Sequence, residues 1–198
     1  MKLFHEFNKR IDLDTCDKIS DKILSEVKTN IEKGYTTTLF RDKNNVYSLD
    51  FVFTKDGILD LLKEYDYLKP FVDEVIDTTT YNAFYLNALV IDDGNSVKKH
   101  LDTTLTDYTT PIECIAHRVF VLYLRVPEDM VGGELKVYLD DEVQSVKPET
   151  GKIVSFDSYM HSVDVTYTKH KRISLVLECY YLMEKSYSKI PVFKKSDT

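Results

Sequence analysis

At 198 residues, 43% apolar and 30% charged, the chain can bury a core without disulfide or metal staples and is too apolar to be disordered. A net charge of −7 leaves no electrostatic footprint for nucleic acid or an anionic membrane, and no apolar run reaches transmembrane length. Cys16, Cys114 and Cys179 are odd in number, far apart and free of any C-x-x-C spacing, and the first six residues do not read as a signal peptide, so reduced thiols in a cytoplasmic protein are expected.

Leu3 to Phe7 reads as a short strand. From Asp14 onward Cys16, Ile19, Ile23, Val27 and Ile31 recur every three or four residues. That is a helix with one face for a sheet, with Asp14 or Thr15 able to cap it and Gly34 placed to end it. Thr36 to Phe40 reads as strand, Asp42 to Asn45 as a turn, and Val46 to Phe53 as a second strand. Residues 56–77 carry helical spacing through Ile58, Leu59, Leu61, Leu62 and Tyr65, and Pro70 is expected to divide them into two short helices.

After Thr80 the texture turns to strands. Tyr81 to Ile91 is long and β-rich, and Asp92-Asp93-Gly94-Asn95 is a turn. His100-Leu101-Asp102 follows, then a polar segment from Thr103 to Glu113. Val119 to Val126 is a buried strand by its continuous apolar character, Gly132-Gly133 introduces a strand from Glu134 to Leu139, and Gly151 precedes Ile153 to Phe156. His161 to Tyr167 and Arg172 to Leu182 complete the series. Short strands at regular spacing predict an antiparallel sandwich or barrel. The expectation is one α+β domain over 1–198, helical to about residue 80 and a β core over about 81–182, with the helices packed on one sheet.

His100 and Asp102 are one residue apart, so on an extended strand they project from the same face. An imidazole and a carboxylate together suit a divalent metal of mixed nitrogen and oxygen preference, such as iron(II). Such a pair arises readily by chance and gains weight from what lies downstream. His161, 59 positions beyond Asp102, can supply a third ligand from a facing strand. Two histidines and a carboxylate on one face of a metal leave three positions open, as in non-heme iron(II) oxygenases. His117 and His170 are competing ligands by residue type, in positions that read as solvated. Arg172 opens the last buried strand, and an arginine entering a core needs an anion. Either Asp157 or Glu178 can be that anion, or a substrate carboxylate, whose shape the guanidinium fork matches.

The ordered set His100-x-Asp102, Gly132-Gly133-Glu134-Leu135, Gly151 with Ile153-Val154-x-Phe156, His161-x-Val163 and Arg172-x-Ser174 resembles the Fe(II)/2-oxoglutarate-dependent dioxygenases, in their prolyl-hydroxylase-like branch. The likeness spans roughly residues 81–182. It implies a double-stranded β-helix (jelly roll), iron(II) held by His100, Asp102 and His161, and 2-oxoglutarate and O2 as co-substrates. It also implies Arg172 on the far carboxylate of 2-oxoglutarate, with Ser174 and Tyr123 beside it. The implied reaction is hydroxylation of a C–H in a prolyl or other residue of a peptide or protein. A free amino acid or small metabolite, or a silent metal-binding jelly roll, is the alternative. Retention of Asp102 favours hydroxylation, since the related halogenases lack that carboxylate. The nucleic-acid demethylases carry a second arginine six residues after the first, where this chain has Glu178. Two departures concern substrate reading. The tyrosine some relatives place about ten residues before the first histidine is near Val90 here, its role empty or moved to Tyr85 or Asn87, and Asp93-Gly94 replaces a Pro-Gly. The polar segments Thr36 to Ser48 and Thr103 to Glu113 are expected to frame the substrate.

Overall fold

The computed structural model describes residues 2–7, 10–32 and 46–195. In chain order the elements begin with β1 (Phe4–Glu6), α1 (Leu13–Glu32), β2 (Val46–Thr54), α2 (Ile58–Glu64), α3 (Lys69–Val75), β3 (Ala83–Ile91) and β4 (Asn95–His100). They continue with β5 (Arg118–Arg125), β6 (Val131–Gly132), β7 (Leu135–Leu139), β8 (Glu142–Val146), β9 (Ile153–Asp157), β10 (Met160–Tyr167), β11 (Arg172–Tyr180), α4 (Glu184–Tyr187) and β12 (Phe193–Lys195). The strands form two antiparallel sheets: a larger one in the order β1-β9-β5-β11-β3-β2-β12 and a smaller one in the order β4-β10-β7-β8, with β6 flanking β10.

The larger sheet is covered on both faces, which is why β3 is buried at all nine positions and reads as a continuous apolar run. Its outer face carries Phe51, Phe84, Leu86, Leu122, Ile173, Leu175 and Leu177, packed against Cys16, Ile19, Ile23 and Val27 of α1. Burying Ile19 or Ile23 contributes about 1.5–3 kcal/mol each. The inner face carries Tyr85, Leu89, Val121, Tyr123, Val154 and Phe156, which meet Val97, Leu135, Val137 and Val163 of the smaller sheet. The functional side chains lie between the two sheets, as a jelly roll requires.

Several expectations are corrected locally. Asp12 caps α1, accepting from the Thr15 amide at 2.9 Å, so the helix begins at Leu13 with neither Asp14 nor Thr15 as its cap. The break between α2 and α3 falls at Tyr65 and the short 3₁₀ turn Asp66–Leu68, and Pro70 sits in the first turn of α3, where its missing N–H costs nothing. The strands expected at Leu3 to Phe7 and Val46 to Phe53 are β1 and β2, and both join the larger sheet. In β2, Leu49, Phe51 and Phe53 alternate with Ser48, Asp50 and Val52, a period of two that splits it between the two faces. The Thr36 to Phe40 strand, the Asp42 to Asn45 turn and Gly34 lie outside the described residues, as does nearly all of the segment Thr36 to Ser48.

The β8 strand escaped the sequence reading. Leu139 pairs with Glu142 across a two-residue Asp140-Asp141 turn, with Asp140 at φ 51°, a geometry aspartate tolerates. Gly151 has φ +83°, and a Cβ there would lie 2.3 Å from the Ile11 carbonyl oxygen. Only glycine allows that approach, which lets the Ile11 amide bond the Gly151 carbonyl at 3.1 Å and ties the start of α1 to the β core.

Candidate active site

His100 ends β4 and His161 lies directly opposite it near the start of β10, so strand pairing alone brings the two imidazoles together, with ring centroids 4.3 Å apart. Asp102 follows two residues on, and its backbone carbonyl accepts from the Ala116 amide at 3.1 Å. Its Oδ1 is 3.2 Å from His100 Nε2 and its Oδ2 is 3.5 Å from His161 Nε2. One ligand atom from each of the three residues falls within 4.8 Å of the others, and this is the one such group of metal-ligating type among the described residues.

The backbone sets the imidazoles up as ligands. His100 Nδ1 lies 2.8 Å from the Lys98 carbonyl and His161 Nδ1 3.1 Å from the Tyr159 carbonyl. A carbonyl only accepts, so each Nδ1 carries a hydrogen, and a ring that holds no second proton turns its Nε2 lone pair toward Asp102. Two lone pairs converging on a carboxylate repel unless a cation sits among them. Burial disfavours the charged form of both rings. At His100 the hydrogen bond and charge of Asp102 outweigh it and raise the pKa; at His161 burial prevails and lowers it, with His100 adding repulsion. Asp102 Oδ2 is buried without a hydrogen-bond partner. The donor set of two imidazoles and one carboxylate suits a borderline divalent ion, and the residues present fit iron(II).

Arg172 opens β11 on the inner face and is 2% exposed, and its Nε and Nη1 have no hydrogen-bond partner. Neither anion proposed for it within the chain reaches it. Asp157 pairs with Arg118 at 3.0 Å, and Glu178 is held by hydroxyls. Ser174, two residues on, is also buried with an unpartnered hydroxyl, and Tyr123 of β5 stands directly opposite Ser174 in register. The Tyr123 hydroxyl is buried and unpartnered too, and its ring lies 5.4 Å from the Arg172 guanidinium carbon. Burial pushes the Tyr123 phenol up to about 12 against the pull of the Arg172 charge, so it stays a neutral donor. Three buried donor side chains without an acceptor suit an anion with several oxygens. The residues present fit the far carboxylate of 2-oxoglutarate.

The opposite end of β11 is acidic. Glu178 is 3% exposed, accepts from Thr104 Oγ1 at 2.8 Å and from the Tyr180 hydroxyl, and stands opposite Tyr85 of β3. Burial, then the nearby charge of Asp102, raises the Glu178 pKa well above the ordinary carboxyl value. Sequence reasoning treated Glu178 as a counter-ion for Arg172 or a missing arginine, and did not place it on this wall. The signal was the alternation Arg172, Ser174, Val176, Glu178, Tyr180, which puts all five on one face. Val90 packs in the helix-side core, whereas Tyr85 and Asn87 face the interior. The segment Thr103 to Glu113 contains a 3₁₀ turn, Thr104–Asp107, and is pinned by Glu113. That carboxylate accepts from Thr110 Oγ1 at 2.7 Å, the Met183 amide at 2.9 Å and Ser186 Oγ at 2.8 Å. His5, His117 and His170 are all exposed and outside the cluster.

The family model of the 2OG-Fe(II) oxygenase superfamily matches residues 85–177. No curated protein matches the sequence. Among solved structures, the fold is similar to a prolyl-4-hydroxylase from Pseudomonas putida (TM-score 0.57, 16% identity, covering 91% of this chain and 94% of that one). It is also similar to a viral collagen prolyl hydroxylase from Paramecium Bursaria Chlorella virus-1, solved with 2-oxoglutarate (0.57, 16%, 92% and 97%). A third is a prolyl hydroxylase from Trichoplax adhaerens in complex with a hypoxia-inducible-factor oxygen-degradation-domain peptide (0.58, 18%, 94% and 86%). At these identities the likeness is one of fold. The matched residues 85–177, just under half of the chain, are thus similar to the 2OG-Fe(II) oxygenase superfamily, dioxygenases that use iron(II), 2-oxoglutarate and O2.

Proposed function

We propose that the protein is a hydroxylase in which His100, Asp102 and His161 hold iron(II) and Arg172, Ser174 and Tyr123 hold the far carboxylate of 2-oxoglutarate. The observation that carries this reading is the buried guanidinium of Arg172, without an acidic partner among the described residues, on the same inter-sheet interior as the His-Asp-His group. Iron(II) supplies O2 activation, coupling loss of CO2 from 2-oxoglutarate to insertion of one oxygen atom into a C–H bond, so that substrate, 2-oxoglutarate and O2 give hydroxylated product, succinate and CO2. The chain supplies orientation and dryness. Arg172 fixes the co-substrate by a two-pronged contact, Ser174 and Tyr123 donate to the same carboxylate, and the apolar inner core excludes water. The Lys98 and Tyr159 carbonyls hold the imidazoles in the tautomer that leaves Nε2 free. Asp102 completes the ligand set, which favours hydroxylation over halogenation.

The substrate is a prolyl or other amino-acid residue, in a peptide or free, lying beside the pinned segment Thr103 to Glu113. No helix among the described residues is long and apolar enough to cross a membrane. Three free, buried thiols suit a reducing compartment such as the cytoplasm. The test is release of succinate and CO2 from 2-oxoglutarate by purified protein, with and without iron(II). Release that requires iron and is abolished by a chelator is expected. Tight metal binding with no release in the presence of any amino-acid or peptide substrate would mean a silent jelly roll.

A further inference from the structure

Beyond the metal group the inter-sheet interior carries buried acceptors. Glu178 is buried, and both its oxygens are held by hydroxyls, with no cationic side chain among the described residues bonded to it. Thr104, which donates to Glu178, is two residues past Asp102, so this carboxylate stands beside the metal group and not at a remote corner. Asn87 is a second, independent sign of a missing ligand. It is 8% exposed, faces the same interior, and its Oδ1 has no hydrogen-bond partner. On the sheet it is in register with Val176 on one side and Asp50 on the other, which makes it a diagonal neighbour of Glu178, roughly 7–8 Å away by ordinary sheet spacing. Asp50 is itself 3% exposed on the same face, and Tyr85 lies between Asp50 and Glu178.

Charge sharpens the point. Iron(II) and the 2-oxoglutarate dianion cancel, and Arg172 cancels Asp102. Glu178 has no cation bonded to it among the described residues; burial favours its protonated form, and an entering cation would favour the carboxylate. A neutral pyrrolidine ring would leave the buried Asn87 Oδ1 without a donor and Glu178 without a counter-charge. A cationic group would satisfy both, and its strong hydrogen bonds would hold the adjoining C–H bonds near the metal group. We propose that Glu178 and Asn87, supported by Asp50 and Tyr85, recognise an ammonium or guanidinium group, so that the substrate is a basic amino acid, free or as a lysyl or arginyl residue. The inference rests on the hydroxylase reading above and narrows it away from proline.

The experiment uses the full chain loaded with manganese(II) and 2-oxoglutarate, so that binding is read by calorimetry without turnover. Lysine, arginine, a lysyl peptide and an arginyl peptide are compared with their uncharged counterparts, norleucine, citrulline and the matching peptides, and with a prolyl peptide. At least one basic compound is expected to bind about tenfold or more tightly than its neutral counterpart, the ratio a charged hydrogen bond confers. Preference for the free or the peptide form tells which of the two is the substrate. Within Glu178→Gln the ratio should fall below about threefold, and within Asn87→Asp, which adds negative charge without removing the acceptor, it should rise. The second variant keeps the test alive if the first fails to fold. No preference for any basic compound, a prolyl peptide binding best, or a ratio unchanged in a folded Glu178→Gln protein would each overturn the assignment. Binding of 2-oxoglutarate to the manganese protein, measured first, separates the two readings: its absence would sink the hydroxylase, whereas its presence without a basic preference would sink this inference alone.

Discussion

The two ends of β11 bury opposite charges and treat them differently. At its start Arg172, Ser174 and the facing Tyr123 are donors with no acceptor. Six residues on, Glu178 is an acceptor already filled by the hydroxyls of Thr104 and Tyr180. A protein left to maximise its own stability would let the two ends neutralise each other, but six residues of extended strand keep them roughly 20 Å apart. The contrast marks the arginine end as the one whose buried groups are unsatisfied. On the proposed function the arginine end is costly without its anion, whereas the glutamate end already has its hydrogen bonds made and selects among substrates.

The largest expected effect breaks the metal group on which both ends depend. Asp102→Ala or His161→Ala should lower iron content at equal protein and cut succinate release more than about hundredfold, since even residues that only orient ligands are worth ten to a hundredfold. Next comes Arg172→Ala. Truncating one partner of a buried charge pair costs about 2–5 kcal/mol, so affinity for 2-oxoglutarate, read by calorimetry, should fall by at least about thirtyfold.

The same end yields a stability test of opposite sign. Arg172→Met removes an unpaired buried charge, so without ligand the variant should melt at or above the parent temperature. Saturating 2-oxoglutarate, at about a hundredfold above its Kd, should stabilise the metal-loaded parent by about 2.7 kcal/mol, or roughly 5–10 °C, and leave the variant unmoved. Melting curves with and without ligand check both. Ser174→Ala should be milder, weakening 2-oxoglutarate by about two- to tenfold, the worth of one hydrogen bond.

The smallest effect concerns the segment that carries Thr104 to Glu178. Hydrogen bonds from Thr110, the Met183 amide and Ser186 hold the Glu113 pKa below the ordinary value. A depressed carboxyl contributes stability that is present above its unfolded pKa, about 4.3, and is lost as pH falls through the folded value. Glu113→Gln should therefore flatten the acid limb of a melting-temperature profile below about pH 4–5 while changing the neutral region less.

Much of this was legible in the sequence because it rests on short-range periodicity. The one-residue spacing of His100 and Asp102, the three- and four-residue spacing through Ile19, Ile23 and Val27, and the apolar run of β5 each follow from local geometry. The meeting of His100 with His161 depended on which strands pair, and the resemblance supplied that where spacing could not. What stayed hidden depended on tertiary packing. That Arg172 has no acidic partner among the described residues can be known only once Asp157 is seen on Arg118, and the grouping of Glu178, Asn87 and Asp50 comes from three separate strands. The Asp12 cap was missed because an equally good capper stands two residues later.

The most direct measurement is calorimetric titration of 2-oxoglutarate into manganese-loaded protein, metal-free protein and manganese-loaded Arg172→Ala. The account predicts tight binding in the first, with marked weakening when either the metal or the guanidinium is removed. Equal affinity in all three would show that 2-oxoglutarate does not bridge the His-Asp-His group and Arg172, and would contradict it.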